Sequence, residues 1–275
     1  MYALIFLLLT AFLAATIIAF AVVRMNAENK LAGHVKCLFS KSDKFVGKVF
    51  TYRIISDLPD PVQRYFRYVL SEGQPYINYV RLKHVGQFKA GFDKKWNSIK
   101  GEEYFTTSKP GFIWIGSLKY LTAIDSFISG RGNLKILLGS FLKIKEAKGF
   151  KYSQGELQRW LGESVWFPTN LLPSENVKWS AIDYHSAKLT YTYKKFNLYY
   201  IVTFNETGQI MEMETKRFMG DGNPETWIGK LSCYKKYHGI LVPTKLEASW
   251  KTRDIEFSYA KFTVTELEYN NPERF

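Results

Sequence analysis

The segment with the most charged and aromatic side chains lies between residues 156 and 173. It reads Glu-Leu-Gln-Arg-Trp-Leu-Gly-Glu-Ser-Val-Trp-Phe-Pro-Thr-Asn-Leu-Leu-Pro. Arg159 and Glu163 are four positions apart, so in a helix they can form an ion pair across one turn. Ser153 lies three residues before Glu156, the spacing of a capping box, and predicts that a helix starts there and stops by Pro168.

Two interpretations fit this segment. In the first, the helix packs on a core and carries a surface ion pair. In the second, the helix and its loop cover a ligand cavity, with Trp160, Trp166 and Phe167 in the lining and the pair of Arg159 and Glu163 at the mouth.

Histidine and cysteine pairs elsewhere do not complete a metal site. His34 and Cys37 are separated by two residues, but two ligands do not close a tetrahedral site and no second pair lies nearby in sequence. Asp183 and His185 would share a face if a strand continued through them, although such residues at a strand end usually form a turn. We therefore predict no metal site.

The carboxylate pairs and the catalytic motifs are equally incomplete. Glu102 and Glu103 are adjacent and would point to opposite faces of a strand, while Glu212 and Glu214 alternate with methionines as on a solvated strand face. No Gly-x-Ser-x-Gly elbow is present, and no glycine-rich loop follows a strand and opens a helix. The sequence predicts no catalytic residue and no cofactor.

An apolar segment opens the chain. Residues 2–23 contain no charged side chain, and as a helix at about 1.5 Å per residue they extend about 33 Å, enough to cross a hydrocarbon core of about 30 Å. A secretory signal would have a basic residue before a shorter apolar run, although Ala19-Phe20-Ala21 fits the small-residue cleavage pattern. We predict a single transmembrane helix over 2–23, with a cleaved signal peptide as the alternative.

Basic residues follow this segment in a chain whose net charge is +13. Between residues 24 and 55 the bases outnumber the acids, with Arg24, Lys30, Lys36, Lys41, Lys44, Lys48 and Arg53 against Glu28 and Asp43. We predict that 24–56 is a juxtamembrane linker that favours anionic lipid, and the positive-inside rule would hold the C-terminal domain in the cytoplasm. A simple solvated linker is the alternative. No zinc ligand set, helix-turn-helix or RNA-binding aromatic motif accompanies the charge, so we expect no nucleic-acid partner.

The remainder, 57–275, has the pattern of one mainly β domain. Asp60 followed by Pro61 predicts a capped helix start, and an apolar stripe continues to Leu70. From Tyr79 onward, alternating apolar and polar residues with regular turns predict strands, although the run 139–149 is ambiguous. No helical pattern separates the strands after residue 177, which excludes parallel crossover units there. We predict a curved antiparallel sheet or half-barrel of about ten strands with two short packing helices.

Several short phrases, together with 156–173, resemble a bacterial family known only as a domain of unknown function. In chain order they are Leu-Pro-Asp-Pro-Val-Gln-Arg-Tyr at 58–65, Lys-Pro-Gly-Phe-Ile-Trp at 109–114, Gly-Arg-Gly at 130–132, Trp-Ser-Ala-Ile-Asp at 179–183 and Val-Pro-Thr at 242–244. The resemblance covers roughly 57–269. It implies no activity, because the family has none to transfer.

The phrase at 109–114 also resembles a strand of the periplasmic lipoprotein carriers, whose half-barrel is closed by helices over an apolar cavity. That resemblance implies a periplasmic domain, the opposite side of the membrane from the one that the basic residues favour. It also implies a cavity that binds a lipid, another apolar ligand or a lipid-modified protein.

The function predicted from the sequence is therefore non-catalytic binding of such a ligand by a membrane-anchored domain. The predicted ligand-binding residues are Phe112, Trp114, Arg159, Trp160, Glu163, Trp166 and Phe167. If the two tryptophans of 156–173 line a cavity, replacing both by alanine should reduce bound lipid and leave unfolding cooperative, whereas core tryptophans would cost about 3 to 5 kcal/mol each. The alternatives are an enzyme with a site near Arg159, Glu163 and Asp183, or a structural envelope protein.

Overall fold

The structure, a computed structural model, describes residues 1–253 and 255–275. Within these residues, thirteen strands form one open antiparallel sheet. The strands are β1 Tyr79–Phe88, β2 Asn97–Thr106, β3 Gly111–Ser117, β4 Leu121–Ile128, β5 Arg131–Leu138, β6 Leu142–Lys148, β7 Val177–Ala181, β8 Ser186–Tyr193, β9 Phe196–Phe204, β10 Ile210–Phe218, β11 Pro224–Tyr237, β12 Ile240–Thr252 and β13 Ile255–Tyr269.

Helices precede and interrupt these strands. The α-helices are α1 Tyr2–Ser40, α2 Asp60–Val69 and α3 Phe150–Glu163, and short 3-10 helices lie at Tyr52–Ile55, Ser164–Trp166 and Pro168–Leu171. The mainly β, antiparallel prediction is confirmed. The predicted count of about ten strands is too low, and one of the additional strands is β6, an edge strand in the ambiguous run 139–149 whose four charged residues weaken the apolar signal.

The strand order explains where α3 lies. The order is β6-β5-β4-β3-β2-β1-β13-β12-β11-β10-β9-β8-β7, so two meanders meet where β1 pairs with β13. β6 and β7 are the two edges of the sheet, and α3 is the element between them in the chain. The connection must therefore cross the curved sheet from one edge to the other, which places α3 over its inner face.

Alternation along the strands gives each face of the sheet its own core. Phe105 on β2 and Phe112 on β3 belong to the large inner core that α2 and α3 cover, while their neighbours Tyr104 and Ile113 belong to a smaller outer cluster. Leu38 and Phe39 at the end of α1 complete that outer cluster. The sheet is thus packed on both faces near its centre, as alternation of apolar side chains at successive positions requires.

α1 extends beyond the predicted transmembrane segment. In the described part of the chain it is the one helix long and apolar enough to cross a membrane. The predicted span 2–23 is its first part, and its apolar side chains there are exposed. The helix continues to Ser40, so the first part of the basic segment 24–56 is helical, and Val35, Leu38 and Phe39 are buried against the sheet.

Both predicted helix starts need correction. α2 begins at Asp60, whose side chain does not cap the helix, after the N-cap residue Pro59. α3 begins at Phe150, one turn before the predicted start. The Ser153 hydroxyl donates to the Gly149 carbonyl at 2.8 Å and accepts from the Gly132 amide at 3.0 Å, so it fastens α3 to β5 instead of forming a capping box with Glu156.

Candidate functional site

A row of three side chains on the inner face of the sheet forms the base of the site. Glu103 on β2 lies opposite Trp114 on β3, and Trp114 lies opposite Asp125 on β4. Residues directly opposite on neighbouring strands point to the same face, with their Cβ atoms about 5 Å apart. Two acids therefore flank a tryptophan beneath α3.

Arg159 of α3 joins this row to the helix. Its guanidinium donates to Glu103 Oε1 at 3.2 Å, to Asp125 Oδ2 at 2.7 Å and to Glu163 Oε1 at 2.8 Å. The same group lies 4.6 Å from the centroid of the Trp114 ring, within range of a cation–π contact. The predicted pair of Arg159 and Glu163 is present, but its arginine side chain is only 12% exposed, so the pair is buried and not on the surface.

His84 on β1 supports the tryptophan on β3 across the intervening strand β2. Trp114 Nε1 donates to His84 Nε2 at 2.7 Å, and both residues are buried. Burial, with a smaller effect of Arg159, lowers the pKa of His84 to about 3, so the imidazole stays neutral and accepts this hydrogen bond throughout the physiological range. Gly101 opposite leaves room for the ring, because a Cβ there would overlap the imidazole.

The acids outnumber the bases in this cluster. Burial, and then the charge of Asp125, raises the pKa of Glu156 to about 8. Burial, with the neighbouring Glu163 next, raises the pKa of Glu103 well above its ordinary value. The Glu156 carboxyl is therefore mostly protonated at neutral pH, whereas the carboxyl groups of Glu103, Asp125 and Glu163 each contact the Arg159 guanidinium.

Each of these four carboxyl groups has one oxygen without a partner in the described part of the chain. The atoms are Glu103 Oε2, Asp125 Oδ1, Glu156 Oε2 and Glu163 Oε2, all buried. A buried polar atom without a hydrogen bond costs about 1 to 3 kcal/mol. The cluster is therefore suited to a ligand group that carries N–H or O–H donors.

α3 is held rigidly above the sheet at its other side. Tyr200 of β9 donates its hydroxyl to the Gln158 carbonyl at 3.0 Å, and the Gln158 amide donates to the Lys216 carbonyl of β10 at 2.9 Å. Gly155 and Gly162 face these strands, where a Cβ would crowd Arg217 and Tyr200. Small residues on this face of α3 thus allow the close approach that encloses the space below it.

That space is a cavity of about 410 Å³ between α3 and the inner face of the sheet. Apolar side chains form most of its wall, among them Ile99, Leu134, Met213, Trp227, Leu246 and Phe262. The carboxyl groups of Asp125, Glu156 and Glu163 and the guanidinium groups of Arg159 and Arg217 line the side beneath α3. The volume lies within the range of about 300 to 1,000 Å³ of small-molecule sites. Among the described residues, no group of three His, Cys, Asp or Glu side chains is arranged to hold a metal ion.

The structure separates the predicted ligand-binding residues into two sets. Trp114, Arg159 and Glu163 line the cavity. The others are at most 1% exposed in the inner core and do not line it, namely Phe112, Trp160, Trp166 and Phe167. The indoles of Trp160 and Trp166 donate to the Thr106 and Pro243 carbonyls, so their positions are fixed by the fold.

Trp160 contributes instead to a second, smaller cavity of about 240 Å³ next to the loop after Pro168. Asp183 does not approach Arg159. It lies in the turn between β7 and β8, where its carboxylate accepts from the His185 amide at 2.8 Å. The prediction that Asp183 and His185 lie in a turn is therefore correct. The predicted enzyme site required Arg159, Glu163 and Asp183 to lie together, and in the structure they do not.

Sequence reasoning missed five residues of the site, namely His84, Glu103, Asp125, Glu156 and Arg217. A usable signal exists for two of them. Glu103 alternates with Gly101 and Phe105, and Asp125 alternates with Ala123 and Phe127, so each acid occupies a position on an apolar strand face. An acid in such a position is buried and needs a cationic partner.

A model of a protein family matches residues 48–262 of the sequence. The chain belongs to DUF6544, a family of unknown function. The resemblance of the sequence phrases to a family of unknown function is therefore confirmed. No curated protein matches this DUF6544 member.

Three solved structures resemble this DUF6544 chain in fold. A LolA superfamily protein from Nitrosomonas europaea shares 8% identity, with 77% of this chain and 92% of that chain covered at a TM-score of 0.44. An outer membrane lipoprotein-sorting protein domain from Vibrio parahaemolyticus shares 8% identity, covering 80% and 92%, at 0.40. A DUF1329 family protein from Desulfovibrio piger shares 10% identity, covering 77% and 91%, at 0.37.

Proposed function

We propose that this DUF6544 protein is a membrane-anchored carrier or receptor that binds one apolar chain of a lipid, or of a lipid-modified protein, in the cavity beneath α3. The observation that carries the proposal is the cavity itself, an apolar wall closed on one side by a charged cluster. No chemical step is required of the cluster.

The wall matches an acyl chain in chemistry. Met213, Leu246 and Phe262 are buried side chains that belong to the inner core and also line the cavity. Each methylene group transferred from water to such a wall contributes about 0.8 kcal/mol. Part of an acyl chain would therefore bind measurably after the loss of its translational and conformational freedom.

The charged cluster favours the binding of an amphipathic ligand over the binding of a plain hydrocarbon. The unpartnered oxygens that line the cavity accept hydrogen bonds, and the Glu156 carboxyl, whose pKa burial raises to about 8, can also donate. A ligand with a hydroxyl or amine close to the start of its apolar chain would satisfy these groups. A wholly apolar ligand would leave them unpaired.

The anchor is the first part of α1. Its apolar residues 2–23 are exposed, which costs free energy in water and none in a bilayer. The helix passes the Ala19-Phe20-Ala21 pattern without a break, and Phe20 within that pattern packs against Phe141 of the domain with ring centroids 5.5 Å apart. An uncleaved single-pass anchor is the interpretation that uses this contact.

A photoactivatable phospholipid with a diazirine on its acyl chain tests the proposal. The full chain is placed in lipid nanodiscs that contain the probe, irradiated, and digested for peptide mass spectrometry. We expect crosslinks at two places, on 2–23 from surrounding lipid and on cavity residues such as Met213 and Leu246. Crosslinks confined to 2–23 would refute the proposal.

A cavity-filling variant gives the matched control. Ala248→Phe places a ring in the cavity, whereas Ala181→Phe adds the same ring at an exposed position of β7. Ala248→Phe should abolish the cavity crosslinks and preserve those on 2–23, and Ala181→Phe should change neither. Cavity crosslinks that persist in Ala248→Phe would show that the probe enters elsewhere.

A further inference from the structure

The turns at one end of the sheet share a distinctive surface. Because consecutive strands are antiparallel, the turns 89–96, 118–120, 139–141 and 219–223 all lie at the same end, together with the start of β13. We call this the anchor end, because Phe20 of α1 packs against Phe141 of the turn 139–141 with ring centroids 5.5 Å apart.

The anchor end exposes large apolar side chains on almost every turn. They are Phe92, Tyr120, Phe141, Leu142, Met219 and Ile255. At the opposite end the exposed large apolar residues include Ile182 and Tyr184 in one hairpin turn, Val46 and Val49 in the loop after α1, and Phe150 after β6. Apolar side chains that together form one contiguous exposed surface mark a contact with a protein or a membrane.

The contact with α1 decides between these two partners. Phe20 lies one helical turn before Arg24, the first charged residue after the apolar segment. The end of an apolar span marks the boundary between hydrocarbon and head groups. Since Phe141 touches Phe20, the turn 139–141 lies at the depth of that boundary when α1 spans a bilayer.

Charge on the same turns is mainly positive and exposed. Lys94 and Lys95 follow Phe92 in the same turn, Lys119 precedes Tyr120 with its ammonium 4.9 Å from the ring centroid, and Lys143 follows Leu142. Asp93 and Asp221 are the exposed acids among them. Lysines beside apolar tips match the head groups of anionic lipid.

The cavity reaches this end. Ala90 and Gly220, both exposed, contribute to its wall, together with Phe88, Leu118 and Trp250 at the adjoining strand ends. The opening therefore lies among the apolar tips and the lysines. A ligand that leaves a bilayer at this point would enter the cavity without crossing water.

We propose that the anchor end docks on the surface of the membrane that α1 spans, inserts its apolar turns among anionic head groups, and so opens the cavity directly on the bilayer. The proposal names the lipid surface as the partner of this end. The docking rests on the proposed anchoring by α1, and the opening of the cavity on the bilayer rests on the proposed ligand binding.

An environment-sensitive fluorophore tests the docking. Cys37 and Cys233 are free and exposed, so Cys37→Ser and Cys233→Ser give a background in which single cysteines can be labelled with a nitrobenzoxadiazole probe. Phe92→Cys reports on the anchor end away from α1, and Tyr184→Cys is the control at the opposite end. Their side chains are 57% and 58% exposed, which makes them a matched pair.

The full chain is reconstituted in nanodiscs of phosphatidylcholine with phosphatidylglycerol. We expect the probe at 92 to shift to the blue and to be quenched several-fold more by spin-labelled lipid than the probe at 184. Equal access of both probes to aqueous iodide would overturn the docking. If the probe at 92 is buried to the same extent in nanodiscs of phosphatidylcholine without phosphatidylglycerol, anionic lipid has no role in docking.

The two proposals fail separately. If the probe at 92 stays in water while the diazirine lipid still labels Met213 and Leu246, docking is wrong and ligand binding stands. If the probe at 92 is buried while the cavity residues remain unlabelled, docking stands and ligand binding is wrong.

Discussion

Glu156→Gln should stabilise this protein at neutral pH and remove part of the pH dependence of its stability. The side chain is 6% exposed, and burial with the charge of Asp125 raises the pKa of its carboxyl group from 4.5 to about 8. Glutamine has nearly the same shape as protonated glutamate and cannot ionise. The variant therefore mimics the state that the fold prefers.

The sign and size follow from the proton balance. Between pH 4.5 and about 8 the native protein keeps a proton at Glu156 that the unfolded chain releases, so native stability falls as the pH rises. One group changes the free energy of unfolding by at most about 1.4 kcal/mol per pH unit, or about 5 kcal/mol over this window. The charges of Asp125, Arg217 and Arg159 also act on Glu156, so we expect a gain of about 2 to 4 kcal/mol for the variant near pH 8.

Urea unfolding of the full chain in nonionic detergent, followed by tryptophan fluorescence, measures the difference. The free energies of variant and natural protein should be close near pH 5, diverge as the pH rises, and run parallel above about pH 8. Glu175→Gln, at an exposed loop position, should show no such divergence. A constant difference between Glu156→Gln and the natural protein at all pH values would refute the assigned protonation state.

Three further outcomes are expected. Arg159→Met should lower the free energy of unfolding by about 3 to 5 kcal/mol, measured by urea unfolding, because it leaves buried acids without their cation. Trp160→Ala should cost a similar amount in the same assay, because the indole is 1% exposed and hydrogen-bonded in the core. Deletion of 1–24 should leave a monodisperse domain in size-exclusion chromatography without detergent, whereas deletion of 1–40 should cause aggregation by uncovering the outer cluster.

Each of these three predictions would be contradicted by a specific observation. Full stability of Arg159→Met would mean that its acid partners are all neutral. If Trp160→Ala unfolds cooperatively with unchanged stability, Trp160 is not a core residue, and the sequence-based prediction that it lines a ligand cavity is correct. Equal solubility of both deletions would show that Leu38 and Phe39 do not protect the outer face of the sheet.

The sequence alone determined the mainly β, antiparallel character of the domain and the apolar first part of α1. These features depend on local pattern: an uncharged run long enough to span a bilayer, and alternation of apolar and polar residues such as that from Ala187 to Thr192. It also predicted the pairing of Arg159 with Glu163, because both lie on one helix.

Tertiary structure decided which side chains meet. Glu103 and Asp125 come together with Arg159 because β2, β3 and β4 pair in one register and α3 crosses the sheet between its two edges. Trp160 and Trp166 lie in the core, where their indole N–H groups donate hydrogen bonds to the Thr106 and Pro243 carbonyls. Contacts between residues distant in sequence depend on register and on the path of the chain, and local pattern carries neither.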